Sequence, residues 1–96
     1  MGMQKNDELY RRLYQAVLSL RTIDEVDAFF EDLLTPGELR DIVQRLDVAR
    51  RLHIGETYEQ VAVETGASTT TISRVKRCLL YGKKGYSTVL DRNEDS

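Results

Sequence analysis

The fold turns on residues 58–77, YEQVAVETGASTTTISRVKR. Tyr58 to Thr65 is long enough for only two helical turns, Gly66 interrupts it, and Ser68 can cap a longer helix reaching about Tyr81. Just upstream, Thr57 and Gln60 have capping-box spacing, in which each side chain satisfies a backbone N–H left free at a helix start. A very short helix, a glycine turn and a longer helix form the pattern of a helix-turn-helix. Such a pair crosses steeply, so it needs a small residue at the contact, a glycine in the turn and apolar residues on the second helix's inner face. Ala62 is the small contact, Val61 and Ala67 flank the turn, and Ile72 and Val75 lie three apart on the inner face.

That placement leaves Thr69, Thr70, Ser73, Arg74 and Arg77 facing outward. Hydroxyls contact bases or phosphates, threonine methyls can touch thymine methyls, arginine pairs with guanine, and a helix start donates to phosphate. The plainer alternative is a helical hairpin buried in an ordinary core. An inert hairpin, however, has no reason to present a helix without acids and with a polar face of Ser, Thr and Arg.

Upstream, Asp7 can cap a helix to about Leu20, with Leu9, Leu13, Ala16, Val17 and Leu20 at helical spacing. Thr22 and Glu25 suggest a second capping box and a helix from Ile23 to about Leu34, whose stripe is Ile23, Val26, Phe29, Phe30, Leu33 and Leu34. Two such apolar helices require a partner surface. Thr35, Pro36 and Glu38 then mark the start of a third helix ending at His53 or Ile54, with Gly55 beyond it. The tail offers one more short helix around Ser87, Val89 and Leu90, with Asp91 to Ser96 expected to fray. An all-α chain of 96 residues in a single domain, 1–96, is the expectation.

The formal net charge is −2, which by itself disfavours nucleic acid, but its distribution is uneven. Acids dominate from Met1 to Gln44, whereas from Gly66 to Tyr86 every charged residue is basic: Arg74, Lys76, Arg77, Lys83 and Lys84. One cysteine, Cys78, and one histidine, His53, provide neither a disulfide nor a zinc cluster. Cys78 reads as a small buried apolar residue and His53 as a helix-end cap. No apolar run reaches membrane-spanning length, and Met1 to Asp7 lacks the regions of a signal peptide, so a cytoplasmic, reducing location is expected. No nucleophile, base and carboxylate set suggests an enzyme, and no metal site is expected.

The stretches LLTPGELRDIVQRLDVARRL (33–52) and GETYEQVAVETGASTTTISRVKRCL (55–79) resemble the Trp repressor family, and nearly the whole chain resembles its YerC branch. The resemblance implies a Trp repressor-like helical bundle in an intertwined homodimer. Residues 7–34 would then be N-terminal dimerisation helices, 35–54 the core helix, 57–81 the helix-turn-helix and 82–96 a short C-terminal helix and tail. It also implies double-stranded DNA as partner, read by Ser68, Thr69, Thr70 and Ser73, with phosphate affinity from Arg74, Lys76, Arg77, Lys83 and Lys84.

In that family free tryptophan lies between two arginines, which correspond by position to Arg45 and Arg74, and the threonine before the proline, Thr35, is present as well. Two departures stand beside them. Val75 replaces a glycine that leaves room for the ligand, and Cys78 replaces a serine that helps bind its amino group. We therefore expect no cofactor and no dependence on tryptophan: either another small-molecule corepressor or, preferably, none. Glu59, where the repressor is basic, would repel phosphate or read cytosine. The expected function is a sequence-specific transcriptional regulator, a repressor by resemblance. The alternative is a helical module that docks a partner protein through its helix-turn-helix. A small-molecule sensor would need a polar pocket near Arg45 and Arg74 that stays open beside Val75.

Overall fold

The computed structural model describes residues 7–93 as six helices: α1 (Asp7–Leu18), α2 (Ile23–Leu33), α3 (Pro36–His53), α4 (Tyr58–Thr65), α5 (Thr69–Tyr81) and α6 (Gly85–Arg92). The expectations for the chain start and for the end of the tail fall outside the described residues, but Asp91 and Arg92, expected to fray, are helical. The chain divides into two compact units, Met1–Pro36 and Gly37–Ser96.

In the first unit, α1 begins at Asp7 and stops two residues before Leu20. The cause is local: Ser19 Oγ donates to the Ala16 carbonyl at 2.7 Å and the Leu20 N–H donates to Val17 at 3.2 Å, closing the last turn early. Thr22 caps α2 by accepting from the Glu25 N–H at 3.1 Å. The reciprocal arm differs from the expected box, because Glu25 accepts from the Arg21 N–H at 2.8 Å rather than from the cap residue. Glu31 on α2 is held above the usual carboxylate range by hydrogen bonding to, and repulsion from, Asp27. No residue of α1 or α2 is buried.

The second unit holds a core of Val48, Ala49 and Leu52 from α3, Val61 from α4, Ala67 from the turn, Ile72 and Val75 from α5, and Leu90 from α6. Val48, Val61 and Ile72 are fully buried, each worth on the order of 1.5–3 kcal/mol. The short α4 is fixed by more than packing. Both arms of its capping box form, with the Thr57 hydroxyl oxygen accepting from the Gln60 N–H at 3.1 Å and the Gln60 side-chain Oε1 accepting from the Thr57 N–H at 2.8 Å. At its other end Gln44 of α3 donates to the Thr65 carbonyl at 3.2 Å, and Gly66 takes φ 72°, the left-handed conformation the turn requires.

Ion pairs tie down the end of α3. Burial alone would raise the pKa of Asp47, but hydrogen bonds from Arg50 (2.9 Å) and Arg51 (3.2 Å) outweigh it and hold the carboxyl below its ordinary range. Arg51 also reaches Glu56 at 3.3 Å. His53, the last residue of α3, has its Nε2 3.3 Å from Oδ1 of Asp91 on α6.

Candidate nucleic-acid interface

The reading helix of the expected motif is α5, and its start is built by Ser68. The Ser68 Oγ accepts from the Thr71 N–H at 3.1 Å and donates to the Thr71 hydroxyl at 3.1 Å, so this expected DNA contact also holds the helix end. Thr69 and Thr70 in the first turn are exposed, as are Ser73, Arg74 and Arg77 further along, and no acid interrupts them. Lys83 and Lys84 are exposed beyond the helix. None of Arg74, Arg77, Lys83 and Lys84 forms an ion pair among the described residues. Lys76 differs from the others in being half-buried.

The inner row of α5 is Ile72, Val75 and Leu79, the first two buried and the third half-buried against the core. This overturns the expectation for Cys78, which is exposed. Four residues on from Val75 the stripe continues at Leu79; a position three on, at helical spacing, is turned toward the edge. Ala62 is half-buried at the α4 contact, as a small residue there should be.

Arg45, Thr70, Thr71, Arg74, Val75, Cys78 and Tyr86 line a cleft of about 150 Å³. Four of the five residues expected around an effector pocket therefore converge, while Thr35 belongs to the first unit. Val75 is 2% exposed and forms a closed wall. Tyr86 was not anticipated. Its only trace in the sequence is an aromatic residue four before Leu90, on the same face of a short helix.

On α4 the character reverses. Arg51, Glu56, Glu59, Gln60, Val63 and Glu64 line an open groove of about 460 Å³, and Val63 is 81% exposed within it. Glu59 thus stands with two further glutamates, apart from the basic residues of α5.

A family model described as Trp repressor protein matches residues 8–94. The uncharacterized protein YerC of Bacillus subtilis (strain 168) is 49% identical over 85 residues, covering 88% of this chain and 82% of that protein. A crystal structure of a TrpR like protein from Eubacterium eligens ATCC 27750 matches with TM-score 0.88 at 45% identity, over 93% of this chain and 92% of the other. A proposed Trp repressor from Staphylococcus aureus matches with TM-score 0.87 at 40% identity, over 95% and 96% of the two chains.

Proposed function

The chain belongs to the Trp repressor family, in the branch that includes YerC, and on that premise we propose that it is a sequence-specific DNA-binding regulator of transcription, a repressor that acts as a homodimer in the cytoplasm without needing tryptophan. The observation that carries this reading is the exposed face of α5, where Thr69, Thr70, Ser73, Arg74 and Arg77 present hydroxyls and guanidinium groups with no carboxylate among them. The helix is held rigidly behind that face by Ile72 and Val75 in the core. Ser68, Thr69, Thr70 and Ser73 contact bases and nearby phosphates; Arg74, Lys76, Arg77, Lys83 and Lys84 supply phosphate affinity. Two heads related by a dimer axis enter successive major grooves about 34 Å apart, so the operator is near-palindromic.

Independence from tryptophan is supported by size. The cleft beside Arg45 and Arg74 has a volume of about 150 Å³. That suits a benzene-sized guest and lies below the roughly 300–1,000 Å³ of ordinary ligand pockets. The buried Val75 narrows it, and Cys78 is a weak hydrogen-bonding substitute for a hydroxyl.

One observation favours a second reading, docking of a partner protein: the acidic groove on α4 with its exposed Val63. Fluorescence anisotropy of random-sequence duplex DNA at low and moderate salt, with and without L-tryptophan, separates the two. Salt-sensitive binding unchanged by tryptophan is the expected result. Enhancement by tryptophan would overturn the ligand-independent part, and absence of binding even at low salt would favour the docking role.

A further inference from the structure

The cleft between α3 and α5 receives one side chain from α6, Tyr86, which is half-buried and packs against the core. Its neighbours on the cleft are two guanidinium-bearing residues, Arg45 of α3 and Arg74 of α5, together with Thr70 and Thr71 from the first turns of α5. No acid lines the cleft, and neither arginine has an ion-pair or hydrogen-bond partner among the described residues. Thr70 and Arg74 also belong to the exposed face of α5. Tyr86 therefore shares a wall with the residues that would touch DNA.

The connection that delivers Tyr86 is made under constraint. At Gly82 the backbone passes so close to the Cys78 carbonyl that a Cβ would collide with it, while the Gly82 N–H donates to that carbonyl at 2.9 Å. Lys84 then adopts φ 68°, and it is the only non-glycine residue with positive φ among those described. The Thr88 hydroxyl and N–H both donate to the Lys84 carbonyl, at 2.8 and 3.0 Å, holding that conformation. At the far end of α6, Leu90 is buried and Asp91 meets His53 of α3. The helix is pinned on both sides of Tyr86.

From this arrangement, and resting on the ligand-independent reading above, we propose that Tyr86 is a positioning residue: the chain's own aromatic group, on the wall of the cleft between α3 and α5 and packed against the core, fixes α5 in its DNA-reading orientation. A strained turn that fixes where α6 starts, and an aromatic side chain on the wall of a cleft that α3 and α5 line with Arg45 and Arg74, give this residue a task that core packing alone does not require.

The test uses the full chain and p-cresol, the small-molecule analogue of the tyrosine side chain that Tyr86→Ala truncates. Hydrogen exchange of the α5 amides is read alongside DNA affinity. In Tyr86→Ala the amides from Ile72 to Cys78 should exchange about tenfold faster or more, with a matching loss of DNA affinity. Millimolar p-cresol should restore both in the variant and change neither in the wild type, and Tyr86→Phe should behave as wild type. Wild-type exchange in Tyr86→Ala, or faster exchange that p-cresol does not reverse, would overturn the proposal. Should the alanine variant fail to fold, Tyr86→Leu keeps apolar bulk: a folded protein with loosened α5 supports the aromatic role, and unchanged α5 protection refutes it. If the wild type binds no DNA, the DNA-binding reading fails on its own, and α5 exchange still reports on Tyr86.

Discussion

Lys84 and Asp47 show how far single residues are set by their surroundings. Lys84 holds φ 68°, which costs a non-glycine residue about 1–2 kcal/mol. Glycine removes that cost but adds comparable entropy to the unfolded chain, so Lys84→Gly should change stability by less than about 1 kcal/mol. Lys84→Val, β-branched and unable to adopt the conformation freely, should lose about 1–3 kcal/mol. Thermal unfolding of the two variants checks this. Since both remove the same charge, any difference in their DNA affinity reports the turn alone. For Asp47 the net pull of Arg50 and Arg51 against burial places the folded-state pKa below the unfolded one. Its stabilisation is therefore present above the ordinary aspartate value, near 4, and disappears as pH falls through the lower folded value. Glu31, raised by Asp27, acts in the opposite sense: its contribution is present below the ordinary glutamate value and is lost as pH rises through the raised one. Urea midpoints measured from roughly pH 2 to 6 should show a flattened acid limb in Asp47→Asn relative to wild type. In Glu31→Gln the midpoint should gain relative to wild type on the neutral side.

At the scale of the element, α4 and α5 were almost wholly legible because their boundaries are written in local chemistry. Thr57 with Gln60, Gly66 and Ser68 each satisfy or release backbone groups within a few residues, and the helices observed begin where those residues place them. The C-terminal end of α1 was less legible, since Ser19 can stop a helix or sit inside one and only its bond to Ala16 decides which. Cys78 was misread for a geometric reason: three positions beyond Val75 and four beyond Val75 are both plausible continuations of a stripe, and the packing selects Leu79. Tyr86 was invisible because its role depends on α3 and α5, far away in sequence. The exposed face of α5 divides into two kinds of contact that mutation can separate. Arg77→Ala should weaken binding on cognate and random duplexes alike and lower the salt-dependence slope by about one. Thr70→Ala should instead change the preferred sequence, costing on the order of 1–3 kcal/mol at one base pair and little on random DNA. Titrations of both variants on selected and random duplexes at two salt concentrations give the answer, and equal losses for Thr70→Ala on both duplexes would remove it from the reading set.

Across the whole molecule the apolar residues are unevenly satisfied. Among the described residues the eight buried side chains all lie in the second unit, whereas α1 and α2 bury none. Ile23 of the α2 stripe is 86% exposed, and Leu9, Leu13 and Val17 of the α1 stripe are 59%, 40% and 40% exposed. Small chains bury too little surface to be robust alone, and short amphipathic helices with no buried residue are marginal unless another surface covers them. A second copy of the chain is the partner proposed here, which makes stability inseparable from concentration. The melting temperature should then rise measurably across about a hundredfold increase in protein concentration, because dimer formation is linked to folding by mass action. Leu13→Asp, which puts a charge into the α1 stripe, should abolish that dependence or leave the chain unfolded. It should also lower affinity for a two-half-site duplex far more than for a single half-site, because only a dimer engages both. Sedimentation of the wild type as a monomer, with a concentration-independent melting temperature, would instead leave the stripes of α1 and α2 to another protein and return weight to the acidic groove of α4 as part of a docking surface.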